Sequence, residues 1–219
     1  MGTIHAFIFD LDGVITDTSE FHFQAWQRLA REEGLPFTRE ENEALRGVAR
    51  RESLALILKG RRISAATAEA WMERKNNYYV ELVKSMPSGD LLPGAGPLLE
   101  ELHAAGLKVA IASSSKNAPL VLDRLGIGSV LDAVVDGSMV ARGKPAPDLF
   151  LKAAGLLGLP PAQCVVVEDA AAGVEAGRAA GMRTLGLGPA GRVGAADLVL
   201  PDLRAARLAD ILARLEGLK

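Results

Sequence analysis

Between residues 108 and 200, short apolar runs alternate with helix-period segments, and this alternation limits the fold more than any other feature. It predicts strands at 108–113, 133–136, 164–168, 183–188 and 197–200. It predicts helices at 95–105, 117–125, 147–157, 171–181 and 203–215. That pattern builds a mostly parallel sheet with helices against it. The strands are nearly all apolar, as a sheet covered on both faces requires. One more apolar run, Ile4 to Phe9, stands far upstream as a further strand. Residues 17–88 read as entirely helical. It has a helical pattern at 18–33, capping-box spacing from Thr38 to Glu41, and helices at roughly 50–60 and 65–85. The expected fold class is therefore α/β: a Rossmann-like parallel-sheet core, residues 1–16 and 90–219, with an inserted α-helical cap domain, residues 17–89. The crossings at 16–18 and 88–92 form a natural hinge.

Charge and cysteine content exclude several functions. The 219 residues hold 25 Lys+Arg and 27 Asp+Glu, a net charge of −2, which argues against a nucleic-acid binder driven by bulk charge. The balance is uneven: residues 46–62 carry Arg46, Arg50, Arg51, Lys59, Arg61 and Arg62 against Glu52 alone, a local +5 that leaves −7 elsewhere. A single cysteine, Cys164, leaves no disulfide framework and no Cys-based zinc site; it reads as a structural core residue. The longest uncharged run, 153–167, is broken by Gly155, Gly158, Pro160 and Pro161, and a bilayer span needs about 20 mostly apolar residues. The first residues lack a basic region and soon meet Asp10 and Asp12, unlike a signal peptide. A cytoplasmic, soluble chain without membrane contact is expected.

The chemistry gathers at strand ends. In Phe9-Asp10-Leu11-Asp12-Gly13-Val14, the alternation of a strand points Asp10 and Asp12 to one side. They fall at the carboxyl end of the first strand, where open α/β sheets bind ligands. Two carboxylates this close repel, so one is protonated or a cation sits beside them. The pair suits a nucleophile with an acid/base, or a metal site; alone, it also fits a turn that uses Asp and Gly for backbone reasons. The next strand ends in Ser113-Ser114-Ser115-Lys116-Asn117 before a helix, a place for an anion or for an N-cap from Ser115 or Asn117. Lys144 sits on the stiff Lys144-Pro-Ala-Pro147 loop that opens another helix. Val165-Val-Val-Glu168-Asp169 ends a buried strand in two acids that need a cationic partner; with oxygen ligands, Mg²⁺ is the candidate.

These four pieces, in this order, resemble the haloacid dehalogenase superfamily of phosphoryl-transfer enzymes. The family pattern is DxDx(T/V), a strand-end Ser or Thr, a downstream Lys and an acidic pair. It is met here by Asp10/Asp12/Val14, Ser113, Lys144 and Glu168/Asp169. The resemblance implies that Asp10 is a nucleophile forming an aspartyl phosphate and that Asp12 is the general acid/base. It also implies Mg²⁺ at Asp10, Asp12, Glu168 and Asp169. The wider segments Phe9 to Thr18, His22 with Trp26, Arg46-Gly-Val-Ala-Arg50, Arg74-Lys-Asn-Asn77 and Ala112 to Asn117 resemble the family's sugar phosphomutases nearly end to end. That implies interconversion of β-D-glucose 1-phosphate and glucose 6-phosphate, with glucose 1,6-bisphosphate as activator and intermediate. Thr18, His22 and Lys75 then join the catalytic set, His22 and Lys75 coupling substrate binding to the placing of Asp12. Trp26, Gly47, Val48, Arg50, Ser113, Ser114, Ser115, Lys116, Asn117 and Lys144 bind substrate or phosphate. Ser114 stands where a smaller residue is expected. Small-molecule hexose phosphates are the implied partners of a monomeric enzyme. A sugar-phosphate phosphatase is the nearest alternative, and a non-catalytic phosphosugar-binding regulator is a remote one.

Helical periodicity adds two readings independent of resemblance. Ala68, Met72, Lys75, Tyr79 and Leu82 share one face, so Lys75 must either snorkel or find an anionic partner. His22, Trp26 and Leu29 share a face of the first cap helix, where a histidine is ordinarily a packing residue. Lys59, Arg61 and Arg62 read as solvated surface charge. Gly186 to Gly191 fits G-x-G-x-x-G, but Pro189 lies inside it and no clear amphipathic helix follows, so a loop is expected rather than a dinucleotide site.

Overall fold

The computed structural model describes residues 3–217. The chain ends included in the expected core bounds, residues 1–2 and 218–219, lie outside the described residues. The order of elements is β1 (Ala6–Phe9), α1 (Ser19–Glu32), α2 (Arg39–Glu43), α3 (Arg50–Leu58), α4 (Ala65–Lys84), α5 (Ala95–Ala104), β2 (Lys108–Ala112), α6 (Ala118–Leu125), β3 (Ala133–Val135), α7 (Asp148–Leu157), β4 (Cys164–Glu168), α8 (Ala171–Ala179), β5 (Arg183–Leu187), α9 (Ala190–Val193), β6 (Leu198–Leu200) and α10 (Leu208–Glu216).

The six strands form one sheet in the order β3-β2-β1-β4-β5-β6, and every pairing is parallel. β1 lies between β2 and β4, where the strand order reverses; doubly wound sheets bind ligands in the crevice at that point. Alternation along β1 separates two cores. Phe7 and Phe9 join Val109, Ile111, Val165 and Val167 on one face, covered by Leu98 and Leu102 of α5, Val121 of α6 and Ile211 of α10. Ala6 and Ile8 join Ala110, Ala112 and Val166 on the other, covered by Leu149, Phe150 and Ala153 of α7 and Ala176 of α8. A third cluster, Trp26, Leu29, Leu45, Leu54, Ile57, Trp71 and Met72, belongs to α1, α3, α4 and the turn after α2. The inserted helices thus have a core of their own.

The two crossings between sheet and insert are tied to each other. The Thr16 hydroxyl donates to the Asp90 carbonyl (2.8 Å), and the Leu92 N–H donates to the Ile15 carbonyl (2.8 Å). The Thr38 capping box forms, with the Glu41 N–H donating to the Thr38 hydroxyl and the Thr38 N–H to the Glu41 carboxylate.

Three local expectations change. The last helix begins at Leu208, not 203, because the Glu101 carboxylate of α5 accepts the Leu208 N–H (2.7 Å) and supplies a start there. Residues 190–193, expected in a loop, make a single helical turn. Leu82 leaves the buried stripe of α4, which continues at Val83. No helix among the described residues is long and apolar enough to cross a membrane.

Candidate active site

A pocket of about 530 Å³ opens where the carboxyl ends of β1, β2 and β4 face the inserted helices, a volume suited to a small phosphorylated ligand. Asp10, Asp12, Ser113 and Asp169 line it from the sheet; His22, Trp26, Gly47, Val48, Arg50, Lys75 and Asn76 line it from the insert. Ser114, Ser115 and Lys116 complete the wall, with Lys116 exposed.

At its base, Lys144 is buried and bonded to both Asp10 and Glu168. Burial alone would lower the Lys144 pKa, but Asp10 and then Glu168 more than reverse this, so the ammonium is held firmly protonated. The ammonium also lies 4.9 Å from the centre of the Phe150 ring. Glu168 is wholly buried, does not line the pocket, and spends its other oxygen on the Ala170 N–H (3.0 Å). A side chain at Gly173 of α8 would collide with it. One carboxylate oxygen thus fixes the Lys144 ammonium and the other the start of α8, behind the carboxylates that face the pocket.

Asp12 accepts a bond from Thr18, and its other oxygen lies 3.9 Å from His22 Nε2. Burial, followed by Asp10, pushes its pKa up to about 7. A carboxyl balanced near neutrality can both take and return a proton. The His22 ring stacks on Tyr79 (centroids 4.0 Å apart), and its Nδ1 lies 2.6 Å from Lys75 Nζ. Burial, then Lys75 and Arg50, lower its pKa well below the usual value. Lys75 is likewise depressed, by burial and then by Arg50. It neither snorkels nor meets a carboxylate: it is 2% exposed, and its neighbours are His22, the Trp26 ring (5.1 Å) and the Tyr79 ring (4.9 Å). The expected anionic partner is absent, and a neutral imidazole nitrogen takes its place.

The hydroxyl stretch after β2 divides its work. Ser113 Oγ accepts the Ser115 N–H (3.1 Å), which leaves its own proton free to donate into the pocket. Ser115 Oγ accepts the Asn117 N–H (3.2 Å), so the helix-start role falls to Ser115 rather than to the Asn117 side chain. Ser114 donates instead to the Gly47 carbonyl (2.9 Å), a bond from the sheet side to the insert. Asn76 Oδ1 accepts from Arg50 Nη2 (2.7 Å) and from Asn117 Nδ2 (2.8 Å). Arg50 is half-buried, and burial lowers its pKa. A guanidinium with only an amide beside it is a natural anion site.

Sequence reasoning missed Asn76, Tyr79, Arg46 and Arg192. Arg46 Nη1 lies 3.0 Å from Asp169 Oδ2 and pairs with Glu43 (2.9 Å), while Arg192 reaches Asp169 and Glu43 at 3.9 Å each. Arg46 and Asn76 stood inside segments already singled out. Arg192 follows the Gly-rich stretch dismissed as a loop and had no signal of its own. Lys59, expected as solvated surface charge, is exposed and pairs with Glu41.

Mg²⁺ is testable against this donor set. Asp10 and Asp169 are each 5% exposed, and burial, then Asp10, pushes the Asp169 pKa up to about 6 despite Arg46 and Arg192. Asp12 responds to Asp10 in the same direction. An all-oxygen cluster of mutually repelling buried carboxylates fits a hard dication. Gly13 (φ +87°) brings the backbone against Asp169, where any Cβ would collide with its carboxylate.

A pH prediction follows. The folded-state pKa values of Asp12 and Asp169, about 7 and about 6, lie above the ordinary carboxyl value of 3.8. Their contribution to stability is complete below about pH 4 and is lost as pH rises through those values. Melting of the metal-free protein should therefore weaken from about pH 5 to about pH 8, and added Mg²⁺ should raise Tm more at the higher pH. Scanning fluorimetry with and without Mg²⁺ measures this; an equal Mg²⁺ gain at both pH values would refute it.

Comparison with known proteins agrees with this site. Residues 4–181 match the haloacid dehalogenase-like hydrolase family. The chain is 47% identical over 199 residues to beta-phosphoglucomutase of Bacillus subtilis (strain 168), covering 89% of this chain and 88% of that protein. It is 32% identical over 187 residues to a phosphorylated carbohydrates phosphatase of Thermotoga maritima, covering 83% and 84%. The crystal structure of beta-phosphoglucomutase from Clostridium difficile superposes with a TM-score of 0.94 at 38% identity, covering 98% of each chain. By its four strand-end motifs, its parallel sheet and these matches, the chain belongs to the haloacid dehalogenase-like hydrolase family.

Proposed function

We propose that this chain is a Mg²⁺-dependent phosphomutase that interconverts β-D-glucose 1-phosphate and glucose 6-phosphate. The observation that carries the reading is the presence of two anion-binding ends in one pocket. One end holds Asp10 and Ser113, with buried Lys144 bonded to Asp10 behind the wall; the other holds Arg50, Lys116 and Asn76, with Asn117 bonded to Asn76 behind it. A substrate with one phosphate at each end occupies both, which points to a hexose bisphosphate intermediate. The similarity to beta-phosphoglucomutase of Bacillus subtilis over most of both chains supports the same reading.

Asp10 Oδ1 is held by Lys144, which leaves the second carboxylate oxygen to attack a phosphoryl group and form the aspartyl phosphate. Lys144 and the Ser113 hydroxyl offset charge on the transferring oxygens, the main catalytic need in such a transfer. Mg²⁺, held by Asp10, Asp169 and the Asp12 backbone carbonyl, would supply further charge stabilisation there. Asp12 takes the proton of the accepting sugar hydroxyl and returns it to the leaving one. Thr18 fixes its orientation, and His22 and Lys75 set the face the sugar meets. Residues 17–89 act as the cap: they close over the sugar and exclude water, then open so that the bisphosphate can present its other phosphate. We take the protein to act as a cytoplasmic monomer on small-molecule hexose phosphates, with glucose 1,6-bisphosphate as activator.

The phosphatase of Thermotoga maritima among the relatives defines the competing outcome. With β-glucose 1-phosphate, Mg²⁺ and catalytic glucose 1,6-bisphosphate, glucose 6-phosphate should form at least about 100-fold faster than free phosphate. Coupled glucose 6-phosphate detection and phosphate release, run side by side, measure the ratio. Free phosphate as the main product would establish a phosphatase instead.

A further inference from the structure

Tyr79 is wholly buried, and its hydroxyl lies 2.9 Å from Thr18 Oγ1, itself wholly buried. A buried phenol that only filled the core would need a polar partner for its hydroxyl, but not this one. With Asp12 ionised, the direction of the bond follows from proton count. Thr18 has one hydroxyl proton, and it goes to Asp12. Thr18 Oγ1 must then accept the proton of Tyr79, giving the directed chain Tyr79 to Thr18 to Asp12. Loss of the phenol proton leaves the Thr18 hydroxyl free to turn away from Asp12.

Tyr79 is also tied to the other end of the pocket. On α4 it lies one turn after Lys75 and Asn76, on the side they share. Asn76 holds both Arg50 and Asn117, so a ligand phosphate that recruits those two donors acts on α4 directly. A helix moves its side chains together, so displacement at Asn76 is felt at Tyr79.

We propose that Tyr79 is a positioning residue, its hydroxyl relaying the ligand-dependent position of α4 through Thr18 to Asp12. The proposal rests on the phosphomutase reading. Tyr79 is buried behind the pocket wall rather than lining it, so it governs the transfer that needs Asp12 and a bound sugar. It leaves the reaction of Asp10 itself untouched.

The test is Tyr79→Phe, which keeps the ring and its stacking on His22. Enzyme phosphorylated with acetyl phosphate is followed by rapid quench, with saturating β-glucose 1-phosphate or with water as acceptor. Transfer to the sugar should slow by about 10-fold with KM changed less than about 2-fold, and hydrolysis of the phosphoenzyme should stay within about 2-fold. In a Thr18→Val background the same substitution should add almost nothing, because both act in one chain. Equal slowing of both acceptors, an unchanged rate with sugar, or an additive loss with Thr18→Val would overturn the proposal. If wild-type phosphoenzyme transfers nothing to the sugar, the phosphomutase reading falls and takes this proposal with it.

Discussion

Asp10→Asn should abolish phosphoenzyme formation and lower turnover on the order of 10⁶-fold, the scale on which loss of a covalent nucleophile is felt. Asparagine has nearly the same shape and keeps a carbonyl oxygen for Lys144, so the loss is chemical rather than structural. Lys144 also retains Glu168. The substitution removes one charge from a crowded cluster: Asp10 raises the pKa values of Asp12, Glu168 and Asp169 alike. The variant should therefore be at least as stable as the parent near neutral pH. Intact-mass measurement after acetyl phosphate treatment gives the first result, and thermal melting the second. A stable phosphoadduct on the variant would place the nucleophile elsewhere.

Lys144→Met should be damaging in a different way. Its ammonium is buried between Asp10 and Glu168, and methionine leaves both acids without their cation. Breaking a buried pair from one side destabilises by about 3–5 kcal/mol. Uncompensated carboxylates take up protons when they can, and the Glu168 pKa, raised by burial and held back by Lys144, rises further in the variant. The loss should then be largest near pH 8 and smaller near pH 5, where protonation removes the buried charge. Turnover should fall by at least about 10³-fold, since the transferring oxygens lose their fixed positive neighbour. Urea unfolding at the two pH values separates the effects. Equal stability loss at both would mean that packing, not charge, is what Lys144 supplies.

The layered fold and the strand-end chemistry were legible because each follows from short-range pattern. The apolar runs ending at Asp10, Ser113 and Asp169 announce both the strands and the ligand side of the sheet. Cap contacts were less legible, since they depend on which face of one helix meets another. Lys75 shows the limit: periodicity put it on an apolar face and left it either to snorkel or to find an anion, yet the fold gave it an imidazole and two aromatic rings. Tyr79 read as one more apolar position, because spacing is blind to where a phenol oxygen points. Arg192 was hidden for a simpler reason. Its partners Glu43 and Asp169 are distant in sequence, and no periodic pattern links a four-residue helix to them. Ser114, flagged for its size, places its extra oxygen on the Gly47 carbonyl, a bond an alanine there would lack.

The placing of β1 has a consequence for how the molecule is made. This strand occupies the middle of the sheet, yet its register partners begin at Lys108 and Cys164. In synthesis the apolar run at 6–9 precedes both of its sheet partners, and the helices up to residue 84, which can pack through mainly local contacts, come between. Pinning of Thr16 to Asp90 and of Ile15 to Leu92 becomes available next, drawing the ends of the insert together before β2 arrives. Closing the long loop at that stage brings β1 to its first neighbour already oriented. The pinned crossings between the sheet and the inserted helices are thus also the clasp by which the nascent chain gathers its central strand.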